Sequence, residues 1–180
     1  SYEKVIRMSN KELEILLCSG KGPAPEALAG YEWRGWNVPT LAGLLGIQKF
    51  IKGFFLLAGK VEGYNIPARQ NGFHGPWIQR PDPDHPKRFG FYTVTKVSPS
   101  SWDNLYPEAT LLDYRASPRN IPIDPSRVLR DYVAQADPGN PDLMIGKAYL
   151  AFGTIRVFSN FFVIERLRPT DWKHKVNKKS

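Results

Sequence analysis

Residues 30–36 read GYEWRGW, and the chain changes its period on either side of them. Upstream, "SNKELEILLCSG", 9–20, is a helix pattern. Ser9 stands three residues before Glu12 as a capping box requires, Leu13, Leu16 and Leu17 share one face, and Gly20 supplies the stop. "PEALAG", 25–30, makes a short helical turn with Pro25 at its start. Downstream, the apolar residues alternate. A large aromatic at the start of a first strand can plug one end of a barrel. Glycines beside it let the chain bend and let neighbouring backbone approach. Gly30, Trp33 and Gly35 are those parts.

The segments that follow have the period of strands. In "GIQKFIKGFFLLAG", 46–59, Gln48, Phe50, Lys52 and Phe54 share one side, while Ile47, Lys49, Ile51 and Gly53 share the other. "KRFGFYTVTKV" (87–97), "EATLLDYR" (108–115), "RVLRDYVAQ" (127–135), "LMIGKAYLAF" (143–152) and "NFFVIERL" (160–167) are similar. They are rich in aromatic and β-branched residues and are bounded by turn chemistry. "SPSSWDN", "ASPRNIPIDPS" and "ADPGNPD" are loops, and the last of them suggests an antiparallel hairpin. Residues 63–88 form the longest irregular stretch, in which Phe73, Trp77 and Ile78 argue for order. Seven or more short strands after one helix predict a mainly β, antiparallel barrel, because closure removes exposed edges. Two packed sheets are the competing architecture.

Length and composition agree with a single domain over 1–170 followed by a basic tail over 171–180. The 180 residues suffice for a core, and 42% are hydrophobic. No apolar run approaches the ~20 residues of a membrane span, and the first residues lack a signal-peptide core. Cys18 is the only cysteine, so no internal disulfide forms, which suits a reducing, cytoplasmic location. The net charge of +8 is uneven: the last ten residues hold four Lys against one Asp. Elsewhere the basic residues are interleaved with apolar ones and not gathered in a stripe, which argues against nucleic acid as a partner.

The stretches "LAGYEWRGW", "QKFIKGFF", "LMIGKAYL" and "FFVIERL" carry a resemblance. Together they resemble lipocalin-like barrels, and more closely the bacterial GXWXG and associated uncharacterised domains, over about residues 25–168. One residue more than the motif has separates Gly30 from Trp33. The resemblance implies a lipocalin-like barrel in which an arginine of the last strand, Arg166 or Arg168, stacks on the structural tryptophan Trp33.

Catalytic signatures are absent: there is no nucleophile elbow, phosphate loop, dinucleotide fingerprint or zinc-protease motif. His74 and His85 lie eleven apart in the long loop beside Asp82 and Asp84, a spacing that fits no metal template. No metal or cofactor is expected. Cys18 reads as a buried small apolar residue. Polar residues interleaved with strand aromatics are the candidates, since alternation sends every second side chain inward. Trp36, Lys52, Arg69, Asn71, Tyr114, Lys147 and Tyr149 are the candidate ligand-binding residues. Arg69 and Asn71 belong to a loop at a barrel mouth. The partner this predicts is a small hydrophobic or amphipathic molecule with an acidic or carbonyl group. The alternatives are a cofactor-independent cyclase or isomerase using Asp113, Tyr149 and Glu165, and a protein-interaction module with a filled core.

Overall fold

A computed structural model describes residues 1–38 and 46–172. It is a closed antiparallel barrel of eight strands: β1 Tyr31–Asn37, β2 Lys49–Leu57, β3 Lys60–Pro67, β4 Phe89–Lys96, β5 Thr110–Asp113, β6 Leu129–Gln135, β7 Leu143–Phe152 and β8 Ile155–Pro169. Each strand pairs with the next, and β8 returns to β1 with Gly35 opposite Ile164 and Trp36 opposite Val163. The sheet therefore has no free edge, and the two-sheet alternative does not occur. Three helices precede it: α1 Tyr2–Ile6, α2 Asn10–Ser19 and α3 Pro25–Leu28. The capping box at Ser9 and Glu12 is formed in both directions. The helical turn at 2–6 has Ser1 at its N-cap, but the Ser1 side chain makes no cap hydrogen bond; the turn is held by Tyr2 and Val5, which it buries against the barrel. The stretch expected to be irregular from residue 63 is strand up to Pro67, because Asn65 and Ile66 pair with Lys52 and Ile51.

Glycine–aromatic pairs shape the wall. Gly35 faces Phe50, Gly63 faces Tyr92 and Gly146 faces Phe162 across neighbouring strands. In each pair the ring lies where a glycine Cβ would stand. The rings thus lie flat on the inner wall, covering backbone that has no side chain of its own. Gly53 and Tyr64 repeat the arrangement on the outer face.

The two ends of the barrel differ. At one, α3 sits across the opening, and Leu28 packs with Trp33, Val61, Val133, Met144 and Ile164, all of them buried. Gly30, at φ +85, turns the chain from α3 into β1. Arg166 crosses this end, its guanidinium 4.1 Å from the Tyr31 ring centroid, 5.2 Å from that of Trp33, and 2.8 Å from Asp142. At the other end, the mouth, Phe50, Asn65, Leu129 and Leu150 are only half-buried.

The outer face is also apolar, and this sets the barrel apart from one with a solvated exterior. Helices α1 and α2 cover Trp36, Ala134, Ile145, Phe161 and Val163. Trp172, after the last strand, packs on Phe55, Tyr64 and Phe91 with centroids 5.4–5.9 Å away. Chain 171–172 is therefore docked on the barrel; the lysines of the basic tail and His174 lie outside the described residues.

Candidate functional site

The barrel interior holds an ion pair. Lys52, on β2, and Asp131, on β6, are both buried, with Lys52 Nζ 2.9 Å from Asp131 Oδ2. The ammonium also donates to Tyr114 OH at 2.6 Å and to Asn65 Oδ1 at 3.0 Å. Its three hydrogens are thereby used. Tyr114 OH donates in turn to Asp131 Oδ2 at 2.9 Å. Asn65 is fixed by its amide, which donates to Gly90 O at 3.0 Å.

Four rings surround the ammonium: Tyr92 at 4.9 Å, Tyr114 and Phe162 at 5.3 Å, and Phe50 at 5.6 Å from their centroids. Three of these, Phe50, Tyr92 and Phe162, lie on the wall glycines described above. The rings' negative faces are a weak substitute for water, worth ~0.5–2 kcal/mol each at most. Burial pushes the Lys52 ammonium toward losing its proton, against the opposing pull of Asp131. Burial also drives the phenols of Tyr92 and Tyr114 well above their usual value, and the Asp131 carboxylate adds to this. Beside Lys52 on β1, in register, stands Trp33. Its indole Nε1 is buried and has no hydrogen-bond partner among the described residues.

The strands sort the predicted residues by parity. Lys52 and Tyr114 face inward and meet. Lys147 and Tyr149, on β7, face outward with Tyr106. There Lys147 Nζ lies 2.7 Å from Glu14 Oε2 on α2 and 2.7 Å from Tyr106 OH, while the Tyr106 and Tyr149 hydroxyls are 3.0 Å apart. Trp36 is on the outer face, its ring edge-on to Phe73 at 5.2 Å. Asn71 Oδ1 accepts from Lys49 Nζ at 2.6 Å outside the wall, and Arg69 is exposed. Asp113 accepts from the backbone N–H of Arg115 at 2.8 Å and pairs with Arg130 at 3.1 Å. Glu165 pairs with Arg34 outside the barrel. None of these outward residues joins the interior cluster. Among the described residues, no group of three or more His, Cys, Asp or Glu comes together to hold a metal.

Asp131 lies in the strand segment RVLRDYVAQ but is not among the candidates the sequence offers, and neither is Asn65. The signal for Asp131 was its parity with Leu129 and Val133, which line the interior. Asn65 sits one step along β3 from Gly63, on the same side.

The fold and site define a closed eight-stranded antiparallel barrel with helical cover and a charged, aromatic interior. No protein-family model, curated protein or solved structure matches the chain, so the site is interpreted from its own geometry. No described helix is long and apolar enough to cross a membrane.

Proposed function

We propose that the barrel binds a small, largely apolar molecule whose acidic or carbonyl group meets Lys52. The observation that carries this is the buried Lys52–Asp131 pair. The strand ladder closes without it, and removing each ion from water costs several kcal/mol. An apolar pair of the same volume would serve the fold as well or better. A charge retained in such a place favours recognition over stability. The side chains of Phe50, Asn65, Leu129 and Leu150 at the mouth are half-buried, and a guest would enter between them. A guest oxygen in place of Asn65 Oδ1 would accept one ammonium hydrogen, while Asp131 keeps the other charge balanced. The surrounding rings would supply affinity through burial, at ~25 cal/mol per Å² of apolar surface. The Gly/Trp likeness to lipocalin-like and GXWXG domains supports the same reading.

A second reading is favoured by one geometric fact. Lys52 Nζ, Tyr114 OH and Asp131 Oδ2 form a triangle with sides of 2.6, 2.9 and 2.9 Å, three proton-exchanging groups in a site shielded from water. An isomerase or cyclase needing no cofactor would use Asp131 as base and Tyr114 as the donor it faces.

Native mass spectrometry of freshly purified protein, followed by titration with 8-anilinonaphthalene-1-sulfonate, tests the first reading. A retained small molecule, or saturable one-to-one dye binding that is lost in Lys52→Met, is expected. No retained mass together with no saturable binding contradicts it. Conversion of a retained compound on incubation would favour the second.

A further inference from the structure

The mouth of the barrel is ringed by apolar side chains that none of the described residues covers. Four connections end there: β1 to β2, β3 to β4, β5 to β6 and β7 to β8. Each presents large apolar residues to solvent, either in its described part or at the strand end it joins: Ile47, Phe89, Ile121 and Ile123, Phe152 and Ile155, between 42% and 86% exposed. Isolated exposed apolar residues are ordinary. A set distributed over every loop around one opening is not. Trp102 extends the ring. It is 71% exposed, and its neighbour Asp103 pairs with Arg130 and Arg156, which belong to strand ends at the mouth.

The same loops are basic. Segments 68–88 and 114–128 hold seven Lys and Arg against three Asp. Arg69, Arg80, Lys87 and Arg115 are exposed. Apolar tips with a basic surround complement a surface with a thin apolar layer beneath negative charge. Lipid headgroups over acyl chains are such a surface. A folded protein partner would instead require shape-matched relief, whereas these tips are separate and stand on different loops.

The geometry points to the mouth rim as a docking surface for an anionic lipid bilayer, with the barrel axis turned toward the membrane. The tips enter the headgroup–acyl boundary while the arginines and lysines meet anionic headgroups. This goes beyond the binding role proposed above and stands independently of whether the interior holds a guest.

Vesicle co-sedimentation of the intact chain tests it, comparing phosphatidylcholine alone with phosphatidylcholine containing phosphatidylglycerol. Binding to the anionic vesicles at low salt is expected, weakening as salt is raised. A variant with Ile121→Ser, Ile123→Ser and Phe152→Ser should keep its melting temperature, since these side chains are exposed. Its vesicle partitioning should fall by roughly a thousandfold, about a factor of ten for each of the three buried tips. Three results would overturn the proposal: no sedimentation with either vesicle; sedimentation unchanged in the triple variant; or light scattering that shows the tips joining two copies of the chain in the absence of lipid.

Discussion

Lys52 and Lys147 occupy nearly the same local chemistry on opposite sides of one barrel wall. Each ammonium has four rings within 5.6 Å and one carboxylate within 2.9 Å. The partners differ in origin. Glu14, which holds Lys147, comes from α2, and Tyr106 comes from the loop between β4 and β5. The outer cluster therefore fastens a helix and a loop to the sheet, and its carboxylate is still partly in water, with 39% of the Glu14 side chain exposed. The inner cluster joins strands that already belong to one closed ladder, and both of its charges are out of water. The outer lysine has an evident structural task. The inner one carries the cost of burial without one, and that difference is the reason to assign it to binding.

The largest effects should come from breaking the inner cluster by halves. Asp131→Ala leaves a buried ammonium without its counter-charge and should cost ~3–5 kcal/mol in urea unfolding. The paired change Lys52→Met with Asp131→Leu removes both charges. It should return stability to within ~1 kcal/mol of the parent, or above it. Trp33→Ala should be comparably damaging, ~3–5 kcal/mol, because the indole fills the sealed end against Leu28 and Phe54. Gly146→Ala sets a methyl group into the Phe162 ring and should cost ~1–3 kcal/mol, read as a fall in melting temperature.

The outer cluster should respond weakly. Burial alone would raise the Glu14 carboxyl, but hydrogen bonds from Lys147 and Tyr106 and the ammonium charge outweigh it and hold Glu14 below its ordinary value. A carboxyl lowered in the folded state adds stability above its unfolded pKa. That stability is lost as the pH falls through the lowered folded value. Glu14→Gln should therefore cost under ~1 kcal/mol at neutral pH, given its exposure. The variant and the parent should converge in stability as the solution is taken below the glutamate range. A difference that persists in strong acid would show that Glu14 acts through packing instead.

Much of this architecture is legible in the chain. The capping box, the Gly30–Trp33–Gly35 start of the barrel and the strand alternation each mark one local choice, and the local choices agree. What the alternation does not show is which side is inside. In a barrel with a wet exterior, polarity would decide. Here α1, α2, Tyr106 and Trp172 cover the outer face, so both faces of the strands are aromatic and aliphatic, and both carry buried charge. Lys147 and Tyr149 therefore read from sequence much as Lys52 and Tyr114 do. The ion pair also unites residues seventy-nine apart. Only closure of the sheet brings β2 and β6 to face each other across the interior, and no short motif records that.

The contrast between the two lysines comes down to one comparison, saturable binding of 8-anilinonaphthalene-1-sulfonate by the parent and by the Lys52→Met, Asp131→Leu variant at matched stability. Loss of one-to-one binding in a variant that unfolds at the same urea concentration is the result expected of an inner cluster kept for recognition. Equal binding by both proteins would contradict it.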